Sequence, residues 1–333
     1  MSIAERVVKG KSNRPALRLV STKDLNRDDW LVVRKNGIGS SDAGAAVGLN
    51  PYQSQLELWM IKTGRDADLP KIDPNDDTTP AFFGTLFEPL VASLYTRRTG
   101  NKVRRINAVL QHPDIPFMLA NIDREIIGVD DVQILECKTA GEFGSRLWRD
   151  GVPEYIQLQV QHQLAVTGKM AADICCLICG QEIRIYRIDR DDALIARLME
   201  LERQFWYYVE TDTPPPADGS DSADVALRCL YPNDSGKTLD LTHDREMSAA
   251  FADLVSVRDD IAAREKVEAQ LKQRIQQKMA DATKAKFETG EVSFKRSKDG
   301  SSLDVTKLLQ DQPDLLQRYP LTKPGSRRFL VST

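Results

Sequence analysis

The chain has 333 residues, 41% of them hydrophobic and 29% charged, the mixture of a soluble globular protein with room for one large domain or two ordinary ones. A net charge of −3, from 46 basic and 49 acidic residues, excludes the bulk basicity of a histone-like protein but leaves room for a positive field confined to one channel. No apolar run reaches the ~18 residues of a membrane span, and the N-terminus lacks the apolar core of a signal peptide, so no membrane partner is expected. Five cysteines, an odd number without an export signal, point to reduced thiols and a cytoplasmic protein.

Residues 1–24 hold few periodic apolar positions and read as an irregular lead-in. A helix is expected over 27–36, ending near Gly37. The segment from Gly37 to Tyr52 then turns on small residues into a short helix with Ser41 or Asp42 as N-cap. A helix N-terminus with hydroxyls and Arg34 nearby suits a phosphate, although a plain cap before a packed helix explains the same residues. A second helix covers 54–63 and stops at Gly64. Residues 79–99 form the clearest helix of the region, with Phe83, Phe87, Leu90, Val91, Leu94 and Tyr95 on one stripe. Glu88 sits at the margin of that stripe, as a surface acid or as an extra metal ligand.

Residues 103–111 read as a strand leading to two apolar runs, 117–122 and 132–135, joined by a Gly/Asp turn in the manner of a β-hairpin. Asp123 closes the first run, and Glu136 and Lys138 end the second, alternating around Cys137. Residues i and i+2 of a strand share a face, so Glu136 and Lys138 point the same way with Asp123 opposite them. Two carboxylates and an ammonium on one surface form a site for a hard divalent cation such as Mg²⁺. The spacing Asp-x12-Glu-x-Lys resembles the signature of the PD-(D/E)XK nucleases.

A glutamine-rich helix is expected over 153–168, then two strands, Ala171 to Cys179 and Glu182 to Ile188. Alternation puts Cys175 and Cys179 on one face and Cys176 on the other, where they serve as small buried hydrophobes rather than a metal cluster. A closing helix over 190–211 presents Leu194, Leu198, Leu201 and Phe205. The proline-rich stretch from Thr213 opens a linker over 213–245. An extension over 246–333 follows, with a long amphipathic helix to about 282, a hairpin over 285–296 and a weakly patterned tail. The long stripe needs a partner, either the rest of the chain or a second subunit.

Four windows stand in one order: Gly-Ile-Gly-Ser-Ser-Asp, Gly-x-x-x-Glu at Gly84 to Glu88, the Asp…Glu-x-Lys hairpin, and the glutamine helix preceded by Trp148. Together they resemble the YqaJ-like viral recombinase family, which includes the lambda-type phage alkaline exonucleases, over residues 25–212. The resemblance implies an α/β PD-(D/E)XK core, a central mixed sheet flanked by helices, with the helical extension beyond it. It implies a Mg²⁺-dependent exonuclease, with Mn²⁺ able to substitute, that degrades one strand of linear duplex DNA from its 5′ end. The 3′ tail would go to a single-strand-annealing partner, in a phage or prophage setting within a bacterial cell. By resemblance the catalytic set is Glu88, Asp123, Glu136, Lys138 and Gln159, with Glu88, Asp123, Glu136 and Cys137 around the metal. Gln161 is a further candidate, Arg34 and Ser41 match the family's 5′-phosphate clamp, and a homo-oligomer, a trimer in lambda-type relatives, is implied. Asn121-Ile122 replaces the small hydroxyl or proline usual before the acid, which removes a phosphate contact there. Competing readings are a PD-(D/E)XK endonuclease or repair nuclease of other polarity, and a DNA-binding scaffold without catalysis.

Overall fold

The computed structural model of the protein describes residues 16–332 apart from 24, 72, 74, 323 and 324. Most of the lead-in, residues 1–15 and 24, lies outside them. The chain divides into two compact units after Tyr231.

The first unit begins with β1 (Leu17–Ser21), α1 (Arg27–Lys35), a 3₁₀ turn (Ser40–Asp42), α2 (Ala43–Ala46), α3 (Gln55–Lys62) and α4 (Pro80–Thr99). The helix starts follow from sequence chemistry: side chains of Asn26, Ser54 and Thr79 accept amide protons of the first turns of α1, α3 and α4. Next come β2 (Lys102–Arg104), β3 (Ala108–Gln111), β4 (Leu119–Ala120), β5 (Arg124–Ile127) and β6 (Ile134–Ala140). Then follow α5 (Glu154–Thr167), β7 (Ala171–Ile178), β8 (Glu182–Asp189), α6 (Asp192–Glu210) and α7 (Asp221–Leu230).

A five-stranded sheet runs β2-β5-β6-β7-β8, mixed because β6 and β7 are parallel and the other neighbours antiparallel. All eight residues of β7 are buried, as a strand covered on both faces requires. Ile134, Ala172, Ile174 and Cys176 face a core shared with Val160 and Leu164 of α5. Leu135, Cys175 and Leu177 face Val91, Ala92 and Tyr95 of α4. The core is thus the α/β arrangement, a mixed sheet flanked by helices, that the motif order implied. Cys175 and Cys176 are buried hydrophobes on opposite faces, but Cys179 lies past the end of β7, exposed at φ 50° in the turn.

The expected strand over 103–111 divides between two sheets. β2 pairs with β5, whereas β3 joins β1 and β4 in a three-stranded sheet. The apolar run 117–122 likewise supplies β4 to the small sheet, so the hairpin itself is β5–β6, with Arg124 opposite Leu135. Asp123 is therefore the residue at which the chain leaves one sheet and enters the other. Gly37 ties this junction to the N-terminal helices: a Cβ there would stand 2.5 Å from the Phe117 carbonyl oxygen. The close approach lets Ile38 donate to Phe117 O at 2.7 Å and accept from Leu119 N at 2.9 Å.

Two helices differ from their expected faces. Only the C-terminal half of α4 packs on the sheet, leaving Phe83 and Leu90 exposed. In α6 the buried set is Ile195, Leu198, Glu202 and Phe205 rather than one containing Leu194, because His162 draws Glu202 inward with a 2.7 Å contact. The stretch read as a linker holds α7, whose Ala223 and Ala226 are buried and whose Ser222 donates to Glu57 Oε2 at 2.6 Å.

The second unit comprises α8 (Arg245–Met279), the hairpin β9 (Lys284–Phe287) and β10 (Gly290–Ser293), and two short helices, α9 (Val305–Asp311) and α10 (Leu315–Arg318). Met247, Phe251, Val257, Ile261, Val267 and Leu271 of α8 are exposed. Among the described residues no helix is long and apolar enough to cross a membrane.

Candidate active site

Asp123, Glu136 and Lys138 meet because the β5–β6 ladder opens. Regular pairing ends at Arg124–Leu135, and one step further the Asp123 carboxylate replaces the missing backbone acceptor, with Oδ2 taking the Cys137 amide proton at 2.8 Å. Glu136 and Lys138 project from the α5 side of β6, as the period of two requires. Lys138 Nζ lies 2.8 Å from Glu136 Oε1 and donates to Gln159 Oε1 at 2.9 Å. Gln159 Nε2 donates back to Glu136 Oε1 at 2.6 Å, closing a triangle. Asp123, Glu136, Lys138 and Glu88 line an open cavity of about 300 Å³. A second cavity of about 240 Å³ also touches Asp123 and Glu88 and extends to Trp30, Arg105 and Asn121.

The electrostatics are those of an acid pair in surplus. Burial, then the neighbouring Glu136, pushes the Asp123 carboxyl up to about 8, against the pull of the Cys137 amide and Lys138. Burial alone would lower the Lys138 ammonium, but Glu136 and Asp123 reverse this and hold it above its usual range. Lys138 is therefore a fixed cation. A divalent ion against Asp123 and Glu136 would relieve the charge surplus, and two carboxylates with water and phosphate oxygens suit Mg²⁺.

Glu88 stands at the cavity wall, but Oε1 accepts from Arg124 Nη1 at 2.5 Å and Arg105 Nη2 at 2.9 Å. Among the described residues no three His, Cys, Asp or Glu side chains form a ready cation cage. The Cys137 thiol sits on the opposite face of β6 from Glu136, partly buried against the α4 core, and burial pushes its pKa up. It is a neutral thiol, unsuited to a hard cation.

Arg34 and Ser41 are brought together, with Arg34 Nη2 donating to Ser41 Oγ at 2.9 Å. The same nitrogen bonds Asp42 Oδ1, while Asp42 Oδ2 accepts from Lys62 Nζ at 2.7 Å and Gly39 N at 3.0 Å. Asp42 thus binds cations instead of capping α2, and the cluster of two cations and one carboxylate carries a net positive charge. The Arg34 guanidinium stacks 4.9 Å over Trp30, whose ring lines the second cavity. Trp30 thus touches both Arg34 and the second cavity, which Asp123 also lines.

Gln161 is not brought to the cavity. Its Nε2 donates to Asp189 O at 2.8 Å and its Oε1 accepts from Asp191 N at 3.1 Å, bracing the corner between β8 and α6. Gln163, absent from the sequence-derived set, reaches the site instead: Nε2 donates to Glu136 Oε2 at 2.7 Å and to Asn121 O at 3.2 Å. The signal was available, since 159 and 163 are four apart and share a helix face whereas 159 and 161 do not.

The profile of the YqaJ-like viral recombinase domain matches residues 29–170, the stretch holding every site residue named above except Asp189 and Asp191. Uncharacterized protein YqaJ of Bacillus subtilis strain 168 is 34% identical over 306 residues, covering 90% of this chain and 92% of that protein. Among solved structures, the alkaline exonuclease LHK-Exo of Laribacter hongkongensis superposes with a TM-score of 0.45 at 22% identity, over 56% of this chain and 93% of that one. A phage related exonuclease from Haemophilus somnus 129PT gives 0.39 at 13% identity, over 53% and 94%.

Proposed function

The chain belongs to the YqaJ-like viral recombinase family, and on that premise we propose that it is a Mg²⁺-dependent exonuclease that degrades linear duplex DNA from the 5′ end. The observation that supports this most directly is the convergence of Asp123, Glu136 and Lys138 on one cavity, with Gln159 bonded to both Glu136 and Lys138. Mg²⁺ bound there would supply Lewis-acid polarisation of the scissile phosphate and an activated water.

The chain's own residues have separable tasks in this reading. Asp123 and Glu136 are the anionic ligands. Lys138, fixed by Glu136 and Gln159, faces the negative charge that grows on the phosphate and stabilises it. Gln159 sets the direction of that ammonium. Glu88 orients Arg105 at the rim, where a guanidinium group suits the phosphates of the DNA backbone, and the buried Arg124 holds Glu88 in place. Arg34 and Ser41, on the net-positive cluster beside Trp30, receive the terminal 5′-phosphate. The product would be a 3′ single strand for an annealing protein, and a ring-shaped homo-oligomer would account for processive action.

The test is digestion of a linear duplex in Mg²⁺, one 5′ end phosphorylated and the other not, each strand labelled separately. Loss of the 5′-phosphorylated strand alone, with closed circles intact, is the expected outcome. Lys138→Ala and Asp123→Ala should each lower the rate at least about 100-fold while the fold persists by circular dichroism. Cleavage of closed circles, or loss from the 3′ end, would replace this reading with that of another PD-(D/E)XK nuclease.

A further inference from the structure

Glu136 is held at both oxygens by the same face of α5. A carboxylate offers about four lone-pair directions, two on each oxygen. Oε1 accepts from Gln159 Nε2 at 2.6 Å, and the Lys138 ammonium stands 2.8 Å from it as its ion partner. On Oε2 one is taken, and among the described residues its hydrogen-bond donor is Gln163 Nε2 at 2.7 Å. Oε2, with one close partner against two on Oε1, is therefore the oxygen more open to an ion, and it is the one that Gln163 touches.

Gln163 is built for that contact at a cost to itself. The side chain is fully buried, and its amide must face nitrogen-first toward Glu136, because Nε2 also meets the Asn121 carbonyl at 3.2 Å. Its own Oε1 is left without a hydrogen-bond partner among the described residues. A buried orphan acceptor is unfavourable, and an apolar side chain at this position would avoid it. A Gln kept there, with its donors aimed at the Glu136 carboxylate and at the carbonyl two residues before Asp123, serves the two acids rather than the core.

We propose that Gln163 is the positioning residue that aims Glu136 Oε2 at the metal, so that the two glutamines of α5 divide the work. Gln163 governs metal affinity through Oε2, and Gln159 governs the ammonium of Lys138 through Oε1. The inference rests on the nuclease reading, and it predicts that the two substitutions separate in their effects.

The measurement is calorimetric titration of chelator-treated full-length protein with Mn²⁺, beside duplex digestion over a range of Mg²⁺ concentrations. Gln163→Met, which keeps the volume and removes the donors, should weaken Mn²⁺ binding by about 10- to 100-fold and raise the half-saturating Mg²⁺ by a similar factor. Turnover at saturating Mg²⁺ should stay within a few-fold of the parent. Gln159→Met should show the reverse, lowering turnover with Mn²⁺ binding little changed. Gln163→Asn, which withdraws the amide by one methylene, replaces Gln163→Met if that variant does not fold, with the same loss expected. Parent-like Mn²⁺ affinity in a folded Gln163 variant overturns the inference and leaves the nuclease reading standing. A parent protein that neither binds Mn²⁺ nor digests DNA overturns the nuclease reading and the inference together.

Discussion

Asp42 illustrates how one residue decides a site's charge. It divides its two oxygens between Arg34 and Lys62, and the carboxyl is lowered to about 2: burial works against the shift, and the two cations with the Gly39 amide outweigh it. Lys62 is lowered as well, because burial outweighs the attraction of Asp42 and Arg34 adds repulsion. The carboxylate thus stabilises the fold above its unfolded pKa and loses that contribution as pH falls toward 2. From 3.8 to about 2 the difference corresponds to roughly 2 kcal/mol. Urea titrations of the parent between about pH 4 and pH 2 should show this acid loss, and Asp42→Asn should flatten that limb. At pH 7 the same variant should be about 3–5 kcal/mol less stable, since Lys62 is left buried without its partner.

Helix α5 is the element on which structure and chemistry are interleaved. His162 is fully buried, with Nδ1 2.7 Å from Glu202 and Nε2 2.9 Å from the Leu119 carbonyl, so both ring nitrogens face acceptors and the imidazolium form fits. Burial would lower this ring, and Glu202 raises it. The helix is thereby anchored to α6 and β4, with Gln159 and Gln163 aimed from it at Glu136. Gln161, on another side, is a brace. Gln161→Ala should cost about 1–3 kcal/mol in thermal or urea unfolding while leaving the rate per folded molecule within about twofold. Loss of catalysis in a stable Gln161→Ala protein would return that residue to the catalytic set. A glutamine-rich stretch shows that such a helix exists, yet which glutamine serves which task depends on the neighbours each meets.

Across the whole molecule, the candidate site and the Arg34–Ser41 cluster lie within the first unit, which ends at Tyr231. Residues 232–244 that follow are exposed and contain no helix or strand. Limited proteolysis should cut between the two units there and leave a resistant fragment that ends near Tyr231, with mass spectrometry locating the nick. A first cut within 213–220 instead would mean that α7 is not held to α3 through Ser222, Ser54 and Glu57.

Residues along the chain determined by themselves whatever depends on neighbours in sequence. Alternation put Glu136 and Lys138 on one face, the Asp-x12-Glu-x-Lys spacing brought Asp123 to them, and the caps at Asn26, Ser54 and Thr79 began the helices where they begin. These are local effects, since φ/ψ preference, strand period and capping act over a few residues. Tertiary structure alone decided what fills each face. It divided 103–111 between two sheets, left half of the α4 stripe exposed, folded α7 out of the linker, placed Arg105 and Arg124 on Glu88, and chose Gln163 over Gln161. Most of these turn on partners far along the chain, as Arg105 is from Glu88 and Gln163 is from Glu136. A carboxylate, an amide or an apolar stripe has the same local signature whatever it meets, and the partner settles its role.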